Sequence, residues 1–393
     1  MSGALHLAWR YVVHHRTRTL LLSTALGLTL ALPLAVRSFV QIAQAELRTR
    51  AEATPLVIGA KGSALELALN ALYFRRHGVE LIAKKDEAAM KATGLAKVIP
   101  LYVRYHSQEA PIVGTSLDYF EFRGLKVEHG RMLTRLGDCV VGARLARQRG
   151  LKEGDSLFSS PEQVFDISGV YPLKMRVVGV LAESHGSDDD AAFVDVKTAW
   201  IIEGIGHGHD DVVEIKDSNM VLERKTDNVA VTNAVRMFNQ ITDANIGSFH
   251  FHGDDESFPL TAVIAVPHDA KSQALLLGRY QSKEAVVQMV RPVEQMDALM
   301  STLFQAERLA LLLLAVLGIL VVFIAALVFA LSFKLRRREF ATLEDIGVSR
   351  GTMRLVKLYE VLMVSLLALV VVAASMATVQ ALGATLVRFA ANQ

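Results

Sequence analysis

The 393-residue chain carries a formal net charge of +2 and is 52% hydrophobic, with a mean hydropathy of +0.32. So apolar a chain is not an ordinary soluble enzyme, and its near-neutral charge gives no reason to expect a nucleic-acid partner. A lone cysteine, Cys139, excludes an intrachain disulfide and a cysteine-built zinc site, and reads as a small buried apolar residue.

Residues 1–16 read as an amphipathic helix lying in the membrane interface, with Leu5, Ala8, Trp9, Val12 and Val13 at helical spacing and Trp9 and Tyr11 at headgroup depth. Three uncharged stretches follow at Thr19–Val36, Leu309–Phe333 and Val361–Val387, each past the roughly 18 residues that mark a spanning helix. No small-residue cleavage site follows the first, so it is expected to be a retained helix at 17–40 and not a signal peptide. Arg10, Arg16 and Arg18 precede it with no acid. Lys334, Arg336, Arg337, Arg338, Arg350, Arg354 and Lys357 separate the second span (309–333) from the third (359–388). The positive-inside rule therefore puts both basic segments in the cytoplasm and residues 41–308 outside, with 389–393 as a short outside tail. None of the three uncharged stretches holds an ionisable residue, which argues against a polar path for cargo through the bundle.

The outside segment holds 30 basic and 36 acidic residues. Arg37–Ala51 and Pro292–Arg308 continue the helical spacing and are expected to act as stalks at its two ends. Strands are predicted at Lys97–Tyr105, Pro111–Thr115, Met175–Leu181, Ala191–Val194 and Leu260–Pro267. Helices are predicted at Ser63–Phe74, Lys85–Thr93, Gly142–Gln148, Lys197–Glu203, Thr226–Ile241 and Ser272–Gln281. The fold class is thus membrane α-helical plus a large α+β domain of two lobes, with about Gly186 to Glu256 loop-rich.

Three runs in this domain, PIVGTSLDYFEFRGLKVEHGRML (Pro111–Leu133), VVGARLARQRGLKEGDSL (Val140–Leu157) and RVVGVLAE (Arg176–Glu183), are similar to segments of the MacB-type periplasmic domain. The cytoplasmic run KLRRREFATLEDIGVSRGTMRLVKLYE (Lys334–Glu360) resembles the coupling segment of the MacB, LolC/LolE and FtsX permeases. Its spacing puts Phe340, Leu343 and Ile346 on one helical face, with Glu339, Glu344 and Asp345 at the edge and Gly347 at the turn; such a stripe suits a groove on a partner. The chain is accordingly identified as a member of the MacB/LolC/FtsX-like (type VII) ABC transporter permease family.

That resemblance implies an inner-membrane, non-catalytic permease, as a homodimer or with a sister permease, docked by residues 334–358 on two copies of a separate ATPase. No phosphate-cradling glycine loop occurs here, so ATP and Mg are expected on that partner. ATP hydrolysis would work the periplasmic domain on a lipoprotein, peptide, drug or haem-like cargo, with a periplasmic adaptor or lipoprotein as a further partner. The family carries a fourth span where this sequence has its short tail. An FtsX-like signalling subunit acting on a periplasmic partner, and a metal-related binding or sensing membrane protein, are the alternatives. The latter draws on a concentration of histidines and acids: His185 with Asp188, Asp189 and Asp190; His207 and His209 with Asp210 and Asp211; and His250 and His252 with Asp254 and Asp255. His207, His209, His250 and His252 are the candidate zinc or copper ligands, since imidazole suits both ions.

Overall fold

The structure is a computed structural model that describes residues 3–75, 79–160, 172–208, 221–224, 229–231, 239–280 and 285–391. Two compact units result, residues 1–47 with 298–387 and residues 48–297 with 388–393. The chain opens with α1 (Gly3–His14), α2 (Arg16–Glu52), β1 (Leu56–Ala60), α3 (Ala64–Tyr73), β2 (Ile82–Ala83) and α4 (Lys84–Ala92). There follow β3 (Ala96–Ser107), β4 (Ala110–Thr115), α5 (Leu117–Arg123), β5 (Val127–Gly130), β6 (Asp138–Val141), α6 (Ala143–Arg149), β7 (Ser156–Phe158) and β8 (Lys174–Leu181). A 3-10 turn at Ser187–Asp190 leads to β9 (Ala192–Asp195), α7 (Val196–Glu203), β10 (Gly206–His207), β11 (Val221–Arg224), β12 (Val229–Val231) and β13 (His250–Phe251). The chain closes with β14 (Pro259–Leu260), β15 (Ala262–Pro267), α8 (Ala270–Tyr280), β16 (Val287–Val290), α9 (Pro292–Leu335), α10 (Arg337–Asp345) and α11 (Arg350–Ala391).

Among the described residues, three helices are long and apolar enough to cross a membrane: α2, α9 and α11. The apolar stretch of α9 is almost wholly exposed, with Leu312, Leu313, Ile319 and Phe323 open; in water such a face would be strongly unfavourable. Helix α2 runs past its apolar part to Glu52, and α9 starts well before its own, at Pro292, where a proline costs nothing because the first helical N–H has no partner.

The second unit is built on one ten-stranded sheet, ordered β16-β1-β15-β3-β4-β9-β6-β8-β5, with β7 paired to β8. Its pairs are antiparallel except β4 with β9 and β6 with β8. Strands β4 and β6 are buried along their whole length, as apolar runs covered on both faces should be. Trp200, Tyr102, Tyr119, Phe120 and Phe193 are its largest fully buried side chains. Cys139 is buried in β6, and burial pushes its thiol up to about 12, which makes it unreactive.

Most predicted elements recur within a residue or two of their expected ends, because local chemistry marks those ends. The Ser63 hydroxyl accepts from the Glu66 N–H at 3.2 Å to open α3, Asp195 caps α7, and Gly124, Gly150 and Gly204 close helices in the left-handed conformation. One expectation is corrected. Of the helix expected at Thr226–Ile241 the described residues include Val229–Val231, which pair as strand β12 with β11, and residues 239–241, which are not helical. Within the loop-rich Gly186–Glu256, the predicted strand and helix stand as β9, inside the sheet between β4 and β6, and α7, which buries Trp200.

Candidate coupling and metal sites

Helix α1 buries Ala4, Ala8 and Val12, four residues apart and so on one face; Ala4 and Ala8 pack with Val356 of α11, while Trp9 stays exposed on the other side. Tyr11 has another use than the headgroup region: its ring lies under the Arg336 guanidinium, 3.4 Å from carbon to ring centroid, and under Arg18 at 5.6 Å. Both arginines converge on Glu360, whose side chain is only 1% exposed. Arg18 Nη2 donates to one carboxylate oxygen at 2.8 Å and Arg336 Nη1 to the other at 2.9 Å. Arg18 also donates to the Ser332 hydroxyl. One carboxylate therefore ties the start of α2, the end of α9 and the first turns of α11 together.

Helix α10 is held on the same cluster. Phe340 is 8% exposed, between Arg336 at 4.9 Å and Lys357 Nζ at 4.6 Å from its ring centroid. Leu343 is half-buried and Ile346 is 72% exposed. The three do not form one buried stripe, because α10 ends at Asp345 and Ile346 caps it, outside the helix that carries Phe340 and Leu343. Phe340 thus anchors α10 to its own chain and Ile346 is left outward. Glu339 pairs with Arg336 at 3.1 Å, Glu344 with Arg350, and Asp345 is exposed. Gly347 takes φ +94°, a conformation that favours glycine, to turn the chain into α11.

The histidines divide differently from expectation. Asp188 and Asp189, grouped with His185 in the sequence, are buried and paired with Arg50 and Arg144, so they are spent on structure. Asp255 pairs with Lys84, and the Asp254 carboxylate accepts from the Glu256 N–H at 3.2 Å. His207, His250 and His252 do converge, with every pair of their nearest ligand atoms within 4.8 Å. His209, Asp210 and Asp211 lie outside the described residues.

Two families' models match the chain: a MacB-like periplasmic core domain over residues 19–238 and an FtsX-like permease C-terminal domain over residues 311–389. The first alone spans more than half of the sequence. The chain belongs to the MacB- and FtsX-like, type VII family of ABC transporter permeases. The periplasmic region of MacB from Actinobacillus actinomycetemcomitans is similar over 64% of this permease and 92% of its own chain, at 13% identity and a TM-score of 0.32. The extracellular domain of the noncanonic ABC-type transporter YknZ from Gram-positive bacteria matches over 60% of the permease and 99% of its own chain, again at 13% identity and a TM-score of 0.32. No curated protein matches it. Permeases of this family work with ATPase partners, and the FtsX-like part of this chain includes α10 and Glu360.

Sequence reasoning about the permease passed over two charged clusters. Glu360, the last residue of the Lys334–Glu360 run, was given no role; the signal was a lone acid at the lip of one apolar stretch with Arg18 and Arg336 at the lips of the others. The second cluster lies in the sheet domain. Arg50 grips both oxygens of Asp188, at 2.6 and 3.0 Å, and donates to the Leu72 carbonyl, and Tyr119 donates to Asp188 at 2.7 Å. Burial alone would raise the Asp188 carboxyl, but Arg50, by charge and hydrogen bonds, and Arg123 behind it hold it below the usual carboxylate range. Burial and the Asp188 charge push the Tyr119 phenol up to about 12. Gly142, the glycine of the MacB-like VVGARLA run, makes this possible: a Cβ there would come within 2.2 Å of the Asp188 carbonyl, so only glycine lets the acidic turn sit against α6.

Proposed function

We propose that this chain is the force-transmitting subunit of a MacB- or Lol-type ABC transporter in the bacterial inner membrane. Three spans, at 17–40, 309–333 and 359–388, leave the N-terminus and residues 334–358 in the cytoplasm. Residues 41–308 form a periplasmic domain of two lobes that share one sheet. Two copies of a separate ATPase hold ATP and Mg and grip α10 of a permease dimer, or of a pair with a sister permease. The chain itself performs no hydrolysis. The cargo class is a lipoprotein, peptide, drug or haem-like molecule, exported, extracted or expelled.

The observation that carries this reading is the two-sided fastening of α10. One side is pinned by Phe340, and by Arg336 through Glu360, to the bases of α2, α9 and α11. At its far end the capping residue Ile346 is left open to a partner. A push on α10 cannot be absorbed by a slack loop; it reaches the helix bases. Helices α2 and α9, of 37 and 44 residues, are each unbroken and far longer than the roughly 20 residues a bilayer needs, so they suit levers. A MacB-like match reaching residue 238 favours work on a cargo over the FtsX-like signalling alternative.

The test is affinity purification of the tagged chain from its own host. An ATPase carrying a phosphate-cradling glycine loop should accompany the unmodified chain and be lost with Ile346→Asp, at unchanged yield and thermal midpoint. Burying an isoleucine contributes about 1.5 to 3 kcal/mol, enough to shift such a complex at least tenfold. Retention of the ATPase by Ile346→Asp, or hydrolysis by the purified chain alone, would sink the reading.

A further inference from the structure

We propose that His207, His250 and His252 form a binding site for a divalent transition cation of the zinc class. The argument starts from strand register. Strands β10 and β13 pair antiparallel with Gly206 opposite Phe251 and His207 opposite His250. Residues directly opposite share a face, and so do residues two apart, so His207, His250 and His252 all fall on one side of this ladder.

The glycines fix which side. A Cβ on Gly206 would come within 2.7 Å of the Phe251 ring, and one on Gly208 within 2.6 Å of the Phe249 ring. Glycine at both positions lets the aromatic rings lie across the ladder, where Phe251 meets Trp200 edge to face at 6.4 Å. The aromatic face is thereby committed to the core and the imidazole face is turned outward. The ladder continues for a further hydrogen bond, from the His252 N–H to the Ile205 carbonyl at 2.9 Å.

The resulting cluster has the geometry of a ligand set. Ring centroids of the three pairs lie 4.9, 4.7 and 4.7 Å apart. Imidazoles bound to tetrahedral zinc at about 2.0 to 2.1 Å have nitrogens roughly 3.3 to 3.4 Å apart. The present spacing closes to that by side-chain rotation on a fixed ladder. His250 Nδ1 lies 3.0 Å from the Ser248 carbonyl, which can only accept, so Nδ1 carries the proton and Nε2 keeps its lone pair for a metal. A second-shell carbonyl of this kind orients metal-binding histidines generally. Three neutral imidazoles without a thiolate or a carboxylate favour zinc-class ions over calcium or magnesium, which require oxygen donors. Among the described residues three ligands come together, so a tetrahedral ion here takes at least one further donor. Among the described residues no other group of three potential ligands comes this close.

The proposal does not depend on the ATPase or on transport, and its test uses neither. The full chain is purified in detergent with a histidine-free tag, stripped with a chelator, and titrated with Zn²⁺ against a chromophoric competitor. One Zn²⁺ per chain is expected, with at least three imidazoles in its X-ray absorption spectrum. His252→Gln alters an exposed side chain and should weaken binding at least about 100-fold with an unchanged circular dichroism spectrum. The triple variant with His207→Gln and His250→Gln should bind none at this site. An unmodified chain that binds no Zn²⁺ at micromolar concentration overturns the proposal. So does a His252→Gln chain that binds as tightly as the unmodified one, or a spectrum without imidazole scattering.

Discussion

Two buried carboxylates, Glu360 and Asp188, sit in similar company and hold very different things. Each is met by arginine on both oxygens and each has a tyrosine beside it, Tyr11 in one case and Tyr119 in the other. Asp188 takes both contacts from one arginine, Arg50, inside a packed aromatic core of Phe74, Tyr119, Phe120 and Phe193. It fixes the end of α2 to the acidic turn and is a weld. Glu360 takes its contacts from two arginines on two separate segments, and Arg336 also begins α10. It is a joint, where three helices and the coupling segment meet at one group. The same chemistry gives stiffness when the partners share one core and transmission when they come from separate helices.

The largest effect should follow from removing the joint. Glu360→Ala would leave Arg18 and Arg336 facing each other without their counter-charge, and breaking one partner of a buried pair costs about 3 to 5 kcal/mol. Glu360→Gln keeps the shape and still removes the charge. We expect the alanine variant to lose its monodisperse elution in detergent, and the glutamine variant to keep its fold while its ATPase partner's hydrolysis no longer responds to the permease. If Glu360→Ala elutes and functions as the unmodified chain does, the cluster is incidental and the transmission argument fails with it.

These two clusters also mark the limit of what the sequence discloses. Helix ends were legible because Ser63, Asp195 and the closing glycines act within a few residues of where they stand. The apolar stretches were legible from length alone, and the periplasmic domain from three glycine-bearing runs. Strands β1, β6 and β16 were not, because runs of four or five residues such as DCVV and VQMV are too short to show a period that separates strand from helix. Asp188 was read as a ligand among ligands because its partner lies 138 residues away, and Glu360 was given no role because Arg18 lies 342 away. The coupling stripe was half legible: the spacing located the segment, but not that α10 would end at Asp345 and leave Ile346 outside the helix that buries Phe340. The histidine ladder was legible as a concentration of ligands, yet only the strand register shows that His207, His250 and His252 share a face.

A smaller effect separates the weld by pH. The folded Asp188 carboxyl lies below its ordinary value, whereas unfolded it titrates near about 3.9. Its stabilising contribution is therefore complete above about pH 4 to 5 and is lost as the pH falls from there through the folded value. The thermal midpoints of the unmodified chain and Asp188→Asn should differ by a constant amount from pH 7 to pH 5 and converge below about pH 4. A gap that stays constant to pH 3, in a chain still folded, would mean that the Asp188 charge is not what Arg50 needs.

The smallest effect comes from the neighbour of the weld. Arg48 and Arg50 stand two residues apart on α2, so they point to different sides of the helix. Arg48 reaches Glu52 at 2.7 Å and Asp297 at 3.4 Å, but it is 45% exposed and its partners are about as open. Water competes for every group in that trio, and salt at 0.15 M screens such charges over about 8 Å. Arg50 has no such competition, since its side chain is 12% exposed and Asp188 only 4%. Arg48→Ala should therefore leave the denaturation midpoint almost unmoved, and any difference should vanish in 0.5 M salt. Arg50→Ala should lower the midpoint strongly, and salt should not restore it. Should the two substitutions cost the same, or should salt erase the Arg50 effect, the ion pair at Asp188 would be no more than surface electrostatics, and the contrast between weld and joint would lose one of its sides.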